Sequence, residues 1–126
     1  MKIAALISRI LLGLMFLIFG LNGFLHFIPA PPMPPGLMKD FADVLAASHF
    51  TVVVAGIQVV CAILFLIGRY IPLALTLLGP VLVNILLFHI LVAPASIGPG
   101  VFCTILWFIV FYYERGAFAG IFRAKP

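Results

Sequence analysis

Charge is what this chain has least of. Only 8% of its 126 residues are charged, where a water-soluble domain carries roughly 25%. A soluble fold of this size has too few charges to cover its surface. Carboxylates are scarcer still: Asp40, Asp43 and Glu114 are the only ones, and none sits inside a long apolar run. That argues against a proton relay or ion pump built on buried acids. Cysteine is limited to Cys61 and Cys103, in neither a CxxC nor any other metal or redox spacing. Both fall in apolar stretches, where a cysteine behaves as a small hydrophobe. There is no P-loop, no dinucleotide fingerprint and no order suggesting a Ser-His-Asp triad. The cations are scattered without a basic stripe, so nucleic acid is not an expected partner.

What the chain has instead is apolar sequence, at 66% of residues. The pattern predicts an all-α integral membrane protein, a four-helix up-down-up-down bundle forming a single domain over 1–126. Spans are expected at about 9–28, 50–68, 71–92 and 98–114, since crossing a bilayer takes about 20 helical residues. The first run starts with Lys2 and Arg9, as a secretory signal would. Its apolar stretch is too long, however, and no small-x-small site follows, so it is expected to be retained. Between the first two spans lies an outer segment, 29–47. Its Pro29–Pro35 part holds five prolines in seven residues and reads as a stiff, extended exit. Beyond Gly36, Leu37, Met38, Phe41, Val44 and Leu45 recur on one face, with Lys39, Asp40 and Asp43 opposite. That pattern predicts a short amphipathic helix at the membrane surface.

Orientation follows from the cations. Lys2, Arg9, Arg69, Arg115, Arg123 and Lys125 fall on one side of the expected topology, and only Lys39 on the other. The positive-inside rule places both termini in the cytoplasm of a bacterial inner membrane. His26, His49 and His89 then all belong to the outer half of the bilayer, with Asn22, Gln58 and Asn84 somewhat deeper. Polar groups at membrane depth are costly unless paired, so they turn toward protein or a cavity.

Three readings of this cluster stand side by side. The residues are interhelical hydrogen-bond glue. Or they line a pocket for a small amphipathic molecule such as a quinone, lipid or isoprenoid. Or His26, His49 and His89 hold a metal or haem. Asn22 and His26 are four apart and share a helical face. Asn84 and His89 are five apart and diverge by about 140°, so the spacing does not demand a compact three-histidine site. Pro80 predicts a kink in the third span, with Asn84 one turn further on the same side. The expected outer-leaflet pocket therefore comprises Asn22, His26, Asn84 and His89, with Gln58 nearby. No catalytic residue is identified, and no metal ligand is assigned. Gly13 and Gly20 share a face of the first span, which permits a homo-oligomer contact or close packing within the bundle.

Arg9-x3-Gly13-x2-Phe16-x3-Gly20 running into Leu21-Asn-Gly-Phe-Leu-His-Phe27 is one of several recognisable elements. The Pro29–Pro35 stretch, Arg69-Tyr-Ile-Pro-Leu73 and Gly79-Pro-Val-Leu-Val-Asn-Ile-Leu-Leu-Phe-His89 are the others. On these the chain resembles the DoxX-like family of small four-helix bacterial membrane proteins. The likeness covers nearly the whole chain. It implies an inner-membrane protein acting as a quinone-interacting accessory subunit, beside a membrane or periplasmic oxidoreductase partner. Quinone is the cofactor class it suggests. The rival expectation is a non-enzymatic protein that binds a lipid or scaffolds a partner. A His-ligated haem or metal protein is the remaining alternative. The absence of a paired-thiol motif argues against thiol exchange by this chain alone.

Overall fold

A computed structural model describes residues 2–28 and 32–126. Part of the expected extended segment Pro29–Pro35 thus lies outside the described residues. The elements are α1 (Lys2–Leu25), α2 (Leu37–Ala47), α3 (Phe50–Ile67), α4 (Ile71–Leu91) and α5 (Gly98–Tyr113). Short 3-10 turns cover Pro94–Ser96 and Arg115–Phe118.

Each helix stops where the sequence stops favouring it. α1 ends before His26, whose φ of 52° is left-handed. Asn22 serves that end twice: its carbonyl accepts from the His26 N–H at 2.9 Å, and its Oδ1 accepts from the Ile28 N–H at 2.8 Å. α3 ends at Gly68, φ 73°, a conformation that suits a residue without a Cβ. The Gly68 and Arg69 N–H groups both reach the Leu64 carbonyl, and Pro72 opens α4 in its first turn. The Gly68–Tyr70 turn therefore folds α4 directly back beside α3.

The four long helices pack in a ring, α1 on α3, α3 on α4, α4 on α5 and α5 on α1, with neighbours antiparallel. The α1–α3 seam is the closest. Gly13 sits against Ala62 and Leu66, and Gly20 against Ala55 and Val59. Both glycines are thereby used inside the bundle, where close backbone approach needs small residues. Phe16, Phe65, Leu12, Leu75 and Leu78 fill the centre, together with Cys61 and Cys103. Both cysteines are free, and Cys103 Sγ lies 3.8 Å from Met15 Sδ. Trp107 Nε1 donates to the Leu75 carbonyl at 3.1 Å, tying α5 to α4, while its ring stacks on Phe111 at 5.1 Å.

The outside is as apolar as the inside. Val53, Leu91 and Ile3 are 63%, 73% and 72% exposed, among many others around the bundle. Such a girdle needs lipid around it. α1, α3 and α4 are each long and apolar enough to cross a membrane. α5, with 16 residues, rises about 24 Å. The start of α1, the α3–α4 turn and the end of α5 share one end of the bundle. α2 and the 92–97 connection lie at the other. All three tyrosines, Tyr70, Tyr112 and Tyr113, fall at the first end, and the Arg115 guanidinium sits 4.2 Å over the Tyr112 ring.

Candidate ligand-binding site

α2 carries no buried residue, but it does not stand alone. The helix rests on α3, and Phe41 meets Phe88 of α4 with ring centroids 5.2 Å apart. The Lys39–Asp43 pair, at 2.7 Å, lies on its exposed face. The hydrogen bond and charge of Asp43 raise the Lys39 pKa above its ordinary 10.5.

Under this helix runs a groove of about 740 Å³ between α2, α3 and α4. Phe41 and Leu45 form one side, Val54 and Ile57 another, and Leu77, Pro80, Asn84, Phe88 and His89 the floor. Leu87 and Leu91 on its rim are 48% and 73% exposed, so the groove opens sideways to the surroundings of the bundle. Its walls are apolar except for Thr76, Asn84 and His89. A second, smaller cavity of about 290 Å³ lies between α1, α3, α4 and α5 at the same end, partly open to the surface. Phe16, Phe19, Gln58, Ser96, Pro99 and Cys103 contribute to it, and Ile85 and His89 line both volumes.

The polar groups are held by their own helix. Thr76 Oγ1 donates to the Pro72 carbonyl at 2.8 Å. Asn84 Nδ2 donates to the Pro80 carbonyl at 2.9 Å. His89 Nδ1 lies 2.7 Å from the Ile85 carbonyl. A carbonyl only accepts, so Nδ1 carries a proton, and a neutral ring then keeps its lone pair at Nε2. Gln58 makes no side-chain hydrogen bond among the described residues.

The expected pocket is therefore divided. Asn84 and His89 both line the groove, and Gln58 and His89 both line the smaller cavity. Asn22 and His26 line neither volume. α1 stops at Leu25, which turns Asn22 into a backbone cap and leaves His26 exposed in the exit turn. His49, with φ 62°, is an exposed reversal residue between α2 and α3. Among the described residues no three His, Cys, Asp or Glu side chains come together to hold a metal. The contributions of Phe41, Leu45 and Ser96 were not visible in the sequence, because they depend on where α2 and the 92–97 connection lie. Thr76 did carry a signal: Thr76, Pro80 and Asn84 recur at four-residue steps along one stripe.

A ring of antiparallel apolar helices with a lipid-facing girdle defines a multi-pass membrane protein of the helical-bundle class. The DoxX family model matches residues 4–91, and the chain belongs to the DoxX family. The matched stretch runs from α1 through α4 and includes Asn84 and His89. No curated protein matches the chain, and no solved structure does.

Proposed function

We propose that this DoxX-family protein binds a quinone-like amphipathic molecule in the α2–α3–α4 groove. In this reading it is a quinone-interacting accessory subunit of a bacterial inner-membrane oxidoreductase system, and both termini are cytoplasmic. The observation that carries the reading is the groove itself: an apolar volume of about 740 Å³, open to lipid, with Asn84 and His89 on its floor. An isoprenoid tail suits the apolar walls, and an oxygen-bearing ring suits the two polar side chains. Ligand sites commonly have this makeup, apolar with a few placed polar groups. The orientation is supported by six of the seven cations, which gather with the tyrosines at the end opposite the groove, with only Lys39 on the groove side.

The test is direct binding to the detergent-purified chain. A decyl-tailed benzoquinone is expected to bind saturably. Leu77→Trp, which places an indole in the groove, is expected to weaken binding at least tenfold. Saturable binding that is indifferent to Leu77→Trp would move the site elsewhere. Copurified phospholipid that the quinone does not displace would favour the lipid-binding alternative.

A further inference from the structure

We infer that the groove selects the reduced, hydroxyl-bearing form of its ring ligand over the oxidised, carbonyl form. This rests on the quinone reading above and follows from the direction of each hydrogen bond on the groove floor.

His89 has given its one ring proton to the Ile85 carbonyl at 2.7 Å, so Nε2 faces a ligand only as an acceptor. Thr76 has one hydroxyl proton, and the Pro72 carbonyl takes it at 2.8 Å; its oxygen too can only accept. Pro80 has no N–H, which removes the ordinary helical donor of the Thr76 carbonyl on the same stripe. Asn84 spends one amide proton on the Pro80 carbonyl at 2.9 Å, keeping Oδ1 and a single N–H. Among the described residues no Lys, Arg, Trp or Tyr side chain lines the groove. The free polar groups are thus three side-chain acceptors, His89 Nε2, Asn84 Oδ1 and Thr76 Oγ1, against one donor.

A benzoquinone offers two carbonyl oxygens, which only accept. It pairs with the single Asn84 N–H and leaves His89 Nε2 bare. Its hydroquinone, reached by two electrons and two protons, offers two O–H donors. One hydroxyl satisfies His89 Nε2, and Asn84 Oδ1 is a second acceptor on the same floor. Unpaired polar groups at membrane depth are costly, so the difference falls directly on relative affinity.

The experiment uses the full chain in detergent, without oxygen. It is run at mildly alkaline pH. Decyl-tailed benzoquinone and its hydroquinone are titrated separately by equilibrium dialysis. The hydroquinone is expected to bind about tenfold tighter, the scale of one buried acceptor left unpaired. The ratio should fall toward one in His89→Leu. Should that variant fail to fold by circular dichroism, His89→Gln supplies both a donor and an acceptor and should narrow the ratio likewise. Equal affinities, or a tighter quinone, overturn the redox preference while leaving the groove as a quinone site. Failure of both forms to bind saturably overturns the groove reading and this inference with it.

Discussion

Replacing one hydrogen by one methyl at two glycines should have unequal effects. Gly20 on α1 and Gly56 on α3 are both helical, so alanine gains about 0.5–1 kcal/mol of backbone entropy at either site. Their surroundings differ. A Cβ at Gly20 would stand 2.8 Å from Val59 Cγ2, 3.1 Å from the Ala55 carbonyl oxygen and 3.1 Å from the Val59 nitrogen. Val59 is stiff at χ1, and the other two obstacles are backbone, so relief requires α1 and α3 to separate. Overpacking of this kind costs about 1–3 kcal/mol. At Gly56 the nearest atom is Phe24 Cζ at 3.8 Å, an ordinary contact. Gly56→Ala is therefore expected to stabilise by up to about 1 kcal/mol, and Gly20→Ala to be neutral or destabilising by up to about 2.5 kcal/mol. Unfolding by sodium dodecyl sulfate in mixed micelles, followed by circular dichroism, measures both. Equal midpoint shifts would refute the close α1–α3 seam.

Three further outcomes are expected. Trp107→Phe keeps a ring on Phe111 but loses the bond to the Leu75 carbonyl, and should cost about 0.5–1.5 kcal/mol in the same unfolding assay. Gly68→Ala should destabilise by more than about 1 kcal/mol, because φ is 73° and a Cβ would run into the Arg9 guanidinium. A rescue by Arg9→Ala would identify the clash as the larger cause. The raised Lys39 pKa means that its ammonium is charged at neutral pH, where it faces Asp43, and gives up its proton only as pH rises beyond 10.5. The Lys39 side-chain resonances should accordingly titrate at higher pH than in an Asp43→Asn variant, and an unchanged midpoint would contradict the pairing.

The fold was legible because lipid imposes a simple rule on the sequence: long apolar runs, few charges, and breaks at Gly68, Pro94 and the proline-rich segment. The α2 pattern of Leu37, Phe41, Val44 and Leu45 was equally plain, since a 3.6-residue period needs no knowledge of neighbours. The seam between α1 and α3 was not plain. Gly13 and Gly20 mark a face that packs closely, but periodicity alone cannot say against what. The candidate groove was half legible. Asn84 and His89 could be singled out as polar residues at depth beside Pro80, and both reach the groove. Asn22 and His26 carried the same signature and went elsewhere, because their role turns on where α1 stops. Pro29 holds a hint of that stop, since a proline disfavours helix in the residue before it. Phe41 enters through tertiary placement of α2, which no local pattern records.

Membrane orientation is open to a separate check. In intact spheroplasts an impermeant maleimide should label Ser96→Cys and spare Ala117→Cys until the membrane is opened, with the buried Cys61 and Cys103 giving little background. The central claim concerns the groove, and mass spectrometry of gently purified protein tests it most directly. Wild type is to be compared with an Asn84→Leu, His89→Leu double variant that keeps α4 apolar and helical. A quinone that travels with the wild type and is lost from a folded double variant is the expected result. A folded double variant that retains the same molecule, or a wild type that carries none and takes up none when it is supplied, would contradict it.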